Sequence, residues 1–266
     1  MSPVIGLSTY AYLWRWSETN PSPMTLQDML LDAAELGADV FQICDYPQLE
    51  NLSSDELKSL RRSAASHGLI LELGTRGVSS QRLQRYAQIA EDVDAAFIRT
   101  MVQPTVTPLH ETADLLGAVV HDFSQRGLTL GLETYEQISS TELVGLVETV
   151  NHPALGIVLD PGNCVANLEL PQDVVTRTAP WVINLHIKDF AFSRQPGWVG
   201  FHFTGTPLGE GLLDYQAMLE AVGAADKGLH QIIEHWLPPR GDSDETLREE
   251  QMWTQHAMDY LRKLNP

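Results

Sequence analysis

Eight short apolar, β-branched runs recur along this chain, with longer amphipathic segments between them. The runs cover positions 4–9, 39–44, 69–73, 96–101, 128–133, 155–160, 182–187 and 230–234. Most are continuous rather than alternating, as in VFQIC and LGIVLD. A strand that is apolar on both faces must be covered on both, which is the pattern of a parallel sheet. Parallel strands need long crossovers, and the mean step between run starts, about 32 residues, suits one strand–helix unit. Eight such units, with no GxGxxG after the first strand, predict a closed (β/α)8 TIM barrel rather than a doubly wound open sheet. No Pro/Ser linker or charge run divides the sequence, so positions 1–266 read as one α/β domain.

The intervening segments carry helix punctuation. Thr25-x-x-Asp28, Ser53-x-x-Glu56 and Ser139-x-x-Glu142 read as capping boxes. Gly37, Gly68 and Gly127 stand where a helix should stop before a strand. Leu26, Met29, Leu30, Ala33 and Leu36 mark the apolar face of one helix. Leu247, Met252, Trp253, Met258 and Leu261 mark that of the last. The widest gap lies between strands seven and eight. Its portion 189–213, rich in Gly, Phe and Trp, reads as a long mobile loop closing over the active site.

Catalytic groups of such barrels sit where strands end. Strands five to eight each finish in ionisable side chains: Glu133, Asp160, His186 with Lys188 and Asp189, and Glu234. Projected into one cup, three carboxylates and an imidazole cannot all stay ionised without a counter-charge, because burial and repulsion among the carboxylates drive proton uptake. One divalent cation held by Glu133, Asp160, His186 and Glu234 supplies it. An oxygen-rich set with a single His suits Mn²⁺ or Mg²⁺, with Co²⁺ and Zn²⁺ as alternatives. Such an ion, chelating a carbonyl and a neighbouring hydroxyl, acidifies the C–H between them, and carboxylates can then move the proton.

The net charge of −18 argues against nucleic acid and anionic membranes as partners. Cys44 and Cys164 make no disulfide framework and read as two buried thiols. No apolar run is long enough to span a bilayer, and positions 1–16 do not read as a signal peptide, so the expectation is a cytoplasmic protein. A homo-oligomer is compatible with all of this.

GLETYEQIS, GIVLDPGNCV, NLHIKDF, GFHFTGTPLGEGLLD and IIEHW, in this order, resemble the xylose isomerase-like TIM-barrel superfamily. Within it they are similar to the sugar phosphate isomerase/epimerase group, which includes D-tagatose 3-epimerase. The likeness is clearest over positions 128–236. It implies a small carbohydrate substrate, a metal bound by Glu133, Asp160, His186 and Glu234, and Glu133 and Glu234 as an acid/base pair on the two faces of an enediolate. The expected activity is a metal-dependent sugar isomerase or epimerase. The alternative is a lyase on the same chemistry, a 3-oxo sugar acid decarboxylase or an inosose-type dehydratase. One departure stands out: the epimerases usually carry His three residues after the strand-six Asp, and here it is Asn163, which can hydrogen-bond a hydroxyl but cannot carry a proton.

Further candidates follow from position alone. Lys188 is a catalytic candidate that could steady an oxyanion or a substrate carboxylate, or equally pair with a neighbouring acid. Asp189 is expected to be a loop residue or one that orients His186. Asn163, His202 and Arg194 are candidate substrate contacts, Arg194 as an anion clamp. Trp14 and Trp198 could stack on a sugar or simply pack their loops. Arg99 reads as a structural partner for an acid, and Asp45, Tyr46 and Glu72 complete the rim.

Overall fold

The computed structural model describes residues 3–265, apart from the side chain of Trp198. Each apolar run forms a strand: β1 (Val4–Ser8), β2 (Val40–Cys44), β3 (Ile70–Gly74), β4 (Phe97–Thr100), β5 (Thr129–Glu133), β6 (Leu155–Leu159) and β7 (Val182–Ile187). A two-stranded insertion, β8 (Phe190–Arg194) and β9 (Phe201–Gly205), precedes the last of them, β10 (His230–Ile233). The eight runs pair in parallel in the closed order β1-β10-β7-β6-β5-β4-β3-β2, a TIM barrel. β2 and β6 are buried at every position, since helices cover one face and the barrel interior the other.

The helix signals act as their chemistry requires. All three capping boxes form reciprocally, at Thr25 with Asp28, Ser53 with Glu56 and Ser139 with Glu142. Each satisfies amide donors left over at a helix start, worth about 1 kcal/mol. Gly127, at φ 72°, turns the chain from the helix Leu109–Gln125 into β5, a conformation that a side chain would strain. Leu26, Met29, Leu30 and Ala33 are buried. In the last helix, Ser243–Leu264, Trp253, Met258 and Leu261 are buried but Met252 is 60% exposed. One residue is a rotation of about 100° round a helix, so Met252 and its neighbour Trp253 cannot share the apolar stripe. Among the described residues no helix is long and apolar enough to cross a membrane.

The segment 189–213 differs from the loop expected. Its first part is the antiparallel hairpin β8–β9, with Phe192 opposite Phe203 and Ser193 opposite His202. Its return is tied down by Asp189, whose carboxylate accepts from the amides of Phe190, Gly209, Gly211 and Leu213 at 2.8–2.9 Å. FHFTG alternates apolar and polar residues, a period-2 signal that the glycine content obscures, whereas FAFSR does not. Gly205 lets the hairpin lie against the strand-eight end, because a Cβ there would sit 2.7 Å from the Trp236 carbonyl oxygen.

The barrel interior holds a polar layer. Glu72, expected at the rim, lies mid-strand and buried, and accepts from Gln42 on β2, Asn184 on β7 and His230 on β10. A strand's middle residue points inward or outward by parity alone, so position along the chain does not reveal which.

Candidate metal centre

Glu133 ends β5, His186 lies within β7, and Asp160 and Glu234 directly follow β6 and β10. Barrel closure brings the four together: one donor atom from each lies within 4.8 Å of the others, and all four residues are buried. Asp160 is also placed by its own backbone. Pro161 opens a short helix, and the Asp160 Oδ1 caps it by accepting from the amides of Gly162 and Asn163 at 3.1 and 3.3 Å. That leaves Oδ2 facing the Lys188 ammonium at 2.7 Å.

Two cations already offset part of the negative charge. Arg99, fully buried, brings its Nε to 2.6 Å from Glu133 Oε2 and its Nη1 to 3.3 Å from Asp45. Lys188 reaches Glu234 Oε2 at 3.2 Å and lies 4.4 Å above the Trp236 ring. Burial raises the Glu133 carboxyl, but Arg99, with His186 and Lys188, outweighs it and holds this group at about 2. Burial, only partly opposed by Lys188, raises Asp160. For His186 burial favours the neutral ring, yet the Glu234 and Glu133 carboxylates prevail and raise its pKa.

The arrangement fits a divalent cation. Nδ1 of His186 is buried without a hydrogen-bond partner, 3.4 Å from Glu133 Oε1 and 3.5 Å from Glu234 Oε2. A nitrogen lone pair facing two carboxylates is held only by a positive centre between them, either a proton on the ring or a cation. A cation must displace the proton. His186 keeps its proton above its usual 6.5, so affinity for the ion falls as pH drops through that range, and protons are released on binding. Manganese titration calorimetry near neutral pH should therefore give enthalpies that change with the buffer's ionisation enthalpy. Buffer-independent values would contradict this linkage.

The other candidates divide. Asn163 lies in the site: its Nδ2 donates to Glu133 Oε1 at 2.9 Å and to the Thr134 carbonyl at 3.1 Å. Arg99 lies in the site and pairs with Asp45, which takes a left-handed φ of 48°. Trp14 is held elsewhere, its backbone amide on Glu250 and its ring N–H on the Leu237 carbonyl. Arg194 stacks on Phe201, and both Arg194 and His202 are exposed on the hairpin and do not line the cavity above the four residues. Phe203 and Thr204 line it instead. The Trp198 side chain lies outside the described residues. Asp189 binds loop amides and not His186, which is oriented by Gln42 across the barrel: its Nε2 lies 2.9 Å from Gln42 Oε1.

The cavity measures about 460 Å³, room for a small sugar. Tyr10 and Arg76, with no distinctive sequence signal, shape it together with Trp236 of the IIEHW motif. Arg76 Nη2 donates to the Tyr10 hydroxyl at 2.7 Å and its Nε lies 3.1 Å from Asp45, so a guanidinium looks into the mouth.

The family described as xylose isomerase-like TIM barrel matches residues 30–264. The 3-oxo-isoapionate decarboxylase of Pectobacterium atrosepticum is 50% identical over 264 residues, 98% of this chain and 96% of that one. Among solved structures, D-psicose 3-epimerase in the presence of D-fructose superposes with a TM-score of 0.73 at 15% identity, covering 98% of this chain and 97% of its own. A xylose isomerase-like TIM-barrel protein from Mycobacterium smegmatis in complex with magnesium gives 0.70 at 17% identity and 98% of both chains. At those identities the two structures share the fold.

Proposed function

The chain belongs to the xylose isomerase-like TIM-barrel family, and from that premise we propose that it is a divalent-metal-dependent decarboxylase of a small 3-oxo sugar acid. This takes the lyase alternative over the epimerase expected from sequence. The observation that carries it is the one-sidedness of the proton-handling groups. An epimerase needs a competent acid/base on each face of its enediolate. Here Glu133 is clamped by Arg99 at 2.6 Å and held at about 2, a poor base. Asn163, where the epimerases usually have His, offers only hydrogen bonds. Proton-handling groups cluster on the other side, at Glu234 and Lys188, 3.2 Å apart. The full-length relative's activity supports the same choice.

In a 3-oxo acid the ketone is β to the carboxylate. The bond between the carboxyl carbon and C2 breaks, CO₂ leaves, and the electron pair passes to C2 and the ketone oxygen. One proton added at C2 completes the product. Glu133, Asp160, His186 and Glu234 would hold a divalent cation, Mg²⁺ or Mn²⁺ by the donor set, which supplies Lewis acidity to the ketone oxygen. Lys188 stays an ammonium: burial disfavours its charge, but Asp160 and Glu234 more than restore it. It steadies the developing oxyanion, and its ammonium, hydrogen-bonded to Glu234, supplies the proton for C2. Arg76 at the mouth complements an acidic substrate. Phe203 and Trp236, rings 5.5 Å apart, exclude water from the wall beside Lys188.

The test is a panel of 3-oxo sugar acids, ketoses and inososes with Mn²⁺ in deuterium oxide, read by NMR. The expected result is CO₂ release with one deuterium at the carbon that bore the carboxylate. Exchange into ketoses without mass loss would return the epimerase, and loss of water the dehydratase.

A further inference from the structure

Beneath the four-residue cluster runs a chain of buried hydrogen bonds whose polarity is forced. Glu72, 2% exposed, receives three donors: Gln42 Nε2 at 2.9 Å, Asn184 Nδ2 at 3.0 Å and His230 Nδ1 at 2.5 Å. A carboxylate only accepts, so the NH₂ group of Gln42 must face it. The carbonyl oxygen of Gln42 then faces His186 Nε2 at 2.9 Å. That oxygen also only accepts, so Nε2 carries the hydrogen. The lone pair therefore falls on Nδ1, the atom buried without a hydrogen-bond partner between Glu133 and Glu234.

We infer that Glu72 and Gln42 are positioning residues that hold His186 in the Nε2–H form and so deliver Nδ1 as a metal ligand. The relay comes from β3 and β2, on the far wall of the barrel from the strands that carry the cluster. It touches neither substrate nor ion. It rests on reading the cluster as a metal site, and it goes beyond that reading by naming the residues that choose the donor atom. Partners of this kind typically contribute 10- to 100-fold in metal affinity, by fixing tautomer and ring orientation.

The test uses three variants: Gln42→Glu, Glu72→Gln, and the two together. Gln42→Glu sets two acceptor-only groups face to face, and Glu72→Gln frees the Gln42 amide to turn over. Each single variant should bind Co²⁺ about 10- to 100-fold more weakly than the wild type in titrations followed by the metal's visible absorption. The double variant exchanges the two groups at constant size. The new amide at 72 donates to the new carboxylate at 42, which still accepts from His186 Nε2. Asn184, whose Oδ1 has no partner, can turn to accept the second amide hydrogen. The double variant should regain most of the affinity. Singles within threefold of the wild type, or a double variant no better than the singles, would overturn the relay. Should the wild type itself take up no Co²⁺, the metal reading fails. The imidazole ¹⁵N spectrum of the metal-free protein at alkaline pH then decides the relay alone: Nε2–H supports it and Nδ1–H overturns it.

Discussion

Asp160→Asn and His186→Ala should each fold and yet fail to retain a divalent ion, and with it the proposed decarboxylation should fall by about 10³-fold or more. The magnitude follows from Lewis-acid stabilisation of the developing charge, worth several kcal/mol, at about 1.4 kcal/mol per tenfold in rate. The two substitutions are chosen for what they spare. Asn at 160 can still cap the helix Pro161–Cys164, so the local fold keeps its anchor. It loses the full negative charge that faces Lys188 at 2.7 Å. Ala at 186 removes Nδ1, the one nitrogen donor of the four-residue set, and leaves the three carboxylates in place. Metal analysis after reloading with Mn²⁺, with circular dichroism as a folding control, checks the outcome. Unchanged stoichiometry in both variants would refute the ligand set.

Lys188→Met and Glu234→Gln should each slow product formation by about 10² to 10⁴-fold at saturating Mn²⁺, the usual contribution of a positioned proton donor. Glu133→Gln should lose metal affinity but, once reloaded, retain a larger share of the rate. The asymmetry is geometric. Arg99 holds Glu133 from one side, whereas Glu234 accepts from Ser8 at 3.0 Å and from Lys188 at 3.2 Å on the other. Lys188→Met separates the two roles, because Lys188 lies outside the proposed ligand set. It also leaves Asp160 buried without its ammonium partner. In the metal-free protein that costs about 3–5 kcal/mol, the range for breaking a buried pair. The variant should therefore melt low without metal and recover with it. Rapid-quench measurement of CO₂ release beside deuterium incorporation checks the assignment. Rates near wild type in both Lys188→Met and Glu234→Gln would remove it.

The strands and the helix caps were legible because their signals are local. A continuous apolar run, a Ser or Thr three residues before an acid, or a Gly after a helix acts through neighbours a few positions away. The four-residue cluster was legible for a related reason: a parallel barrel puts every strand's C-terminal end on one face, so ionisable residues at corresponding positions must converge. Glu133, Asp160, His186 and Glu234 do converge. The hairpin inside 189–213 carried a period-2 signal only in FHFTG, and pairing turned it into structure.

What remained hidden depends on closure. Gln42 meets His186 across 144 positions, His230 meets Glu72 across 158, and Ser8 meets Glu234 across 226. No local pattern marks these pairs, and a Glu in mid-strand looks the same whether it points into the barrel or away. Arg99 shows the same division. Its sequence position suggested a partner for an acid, but the closed barrel decided that the acid is Glu133, leaving Glu234 to pair with Lys188. The chain by itself determined the barrel and the face on which its chemistry gathers, since both follow from side-chain periodicity and strand direction. Tertiary structure alone decided the tautomer, the charge pairing and the residues at the cavity mouth. These are set by distances between atoms far apart along the chain, in a buried interior where an unpaired charge is too costly to leave.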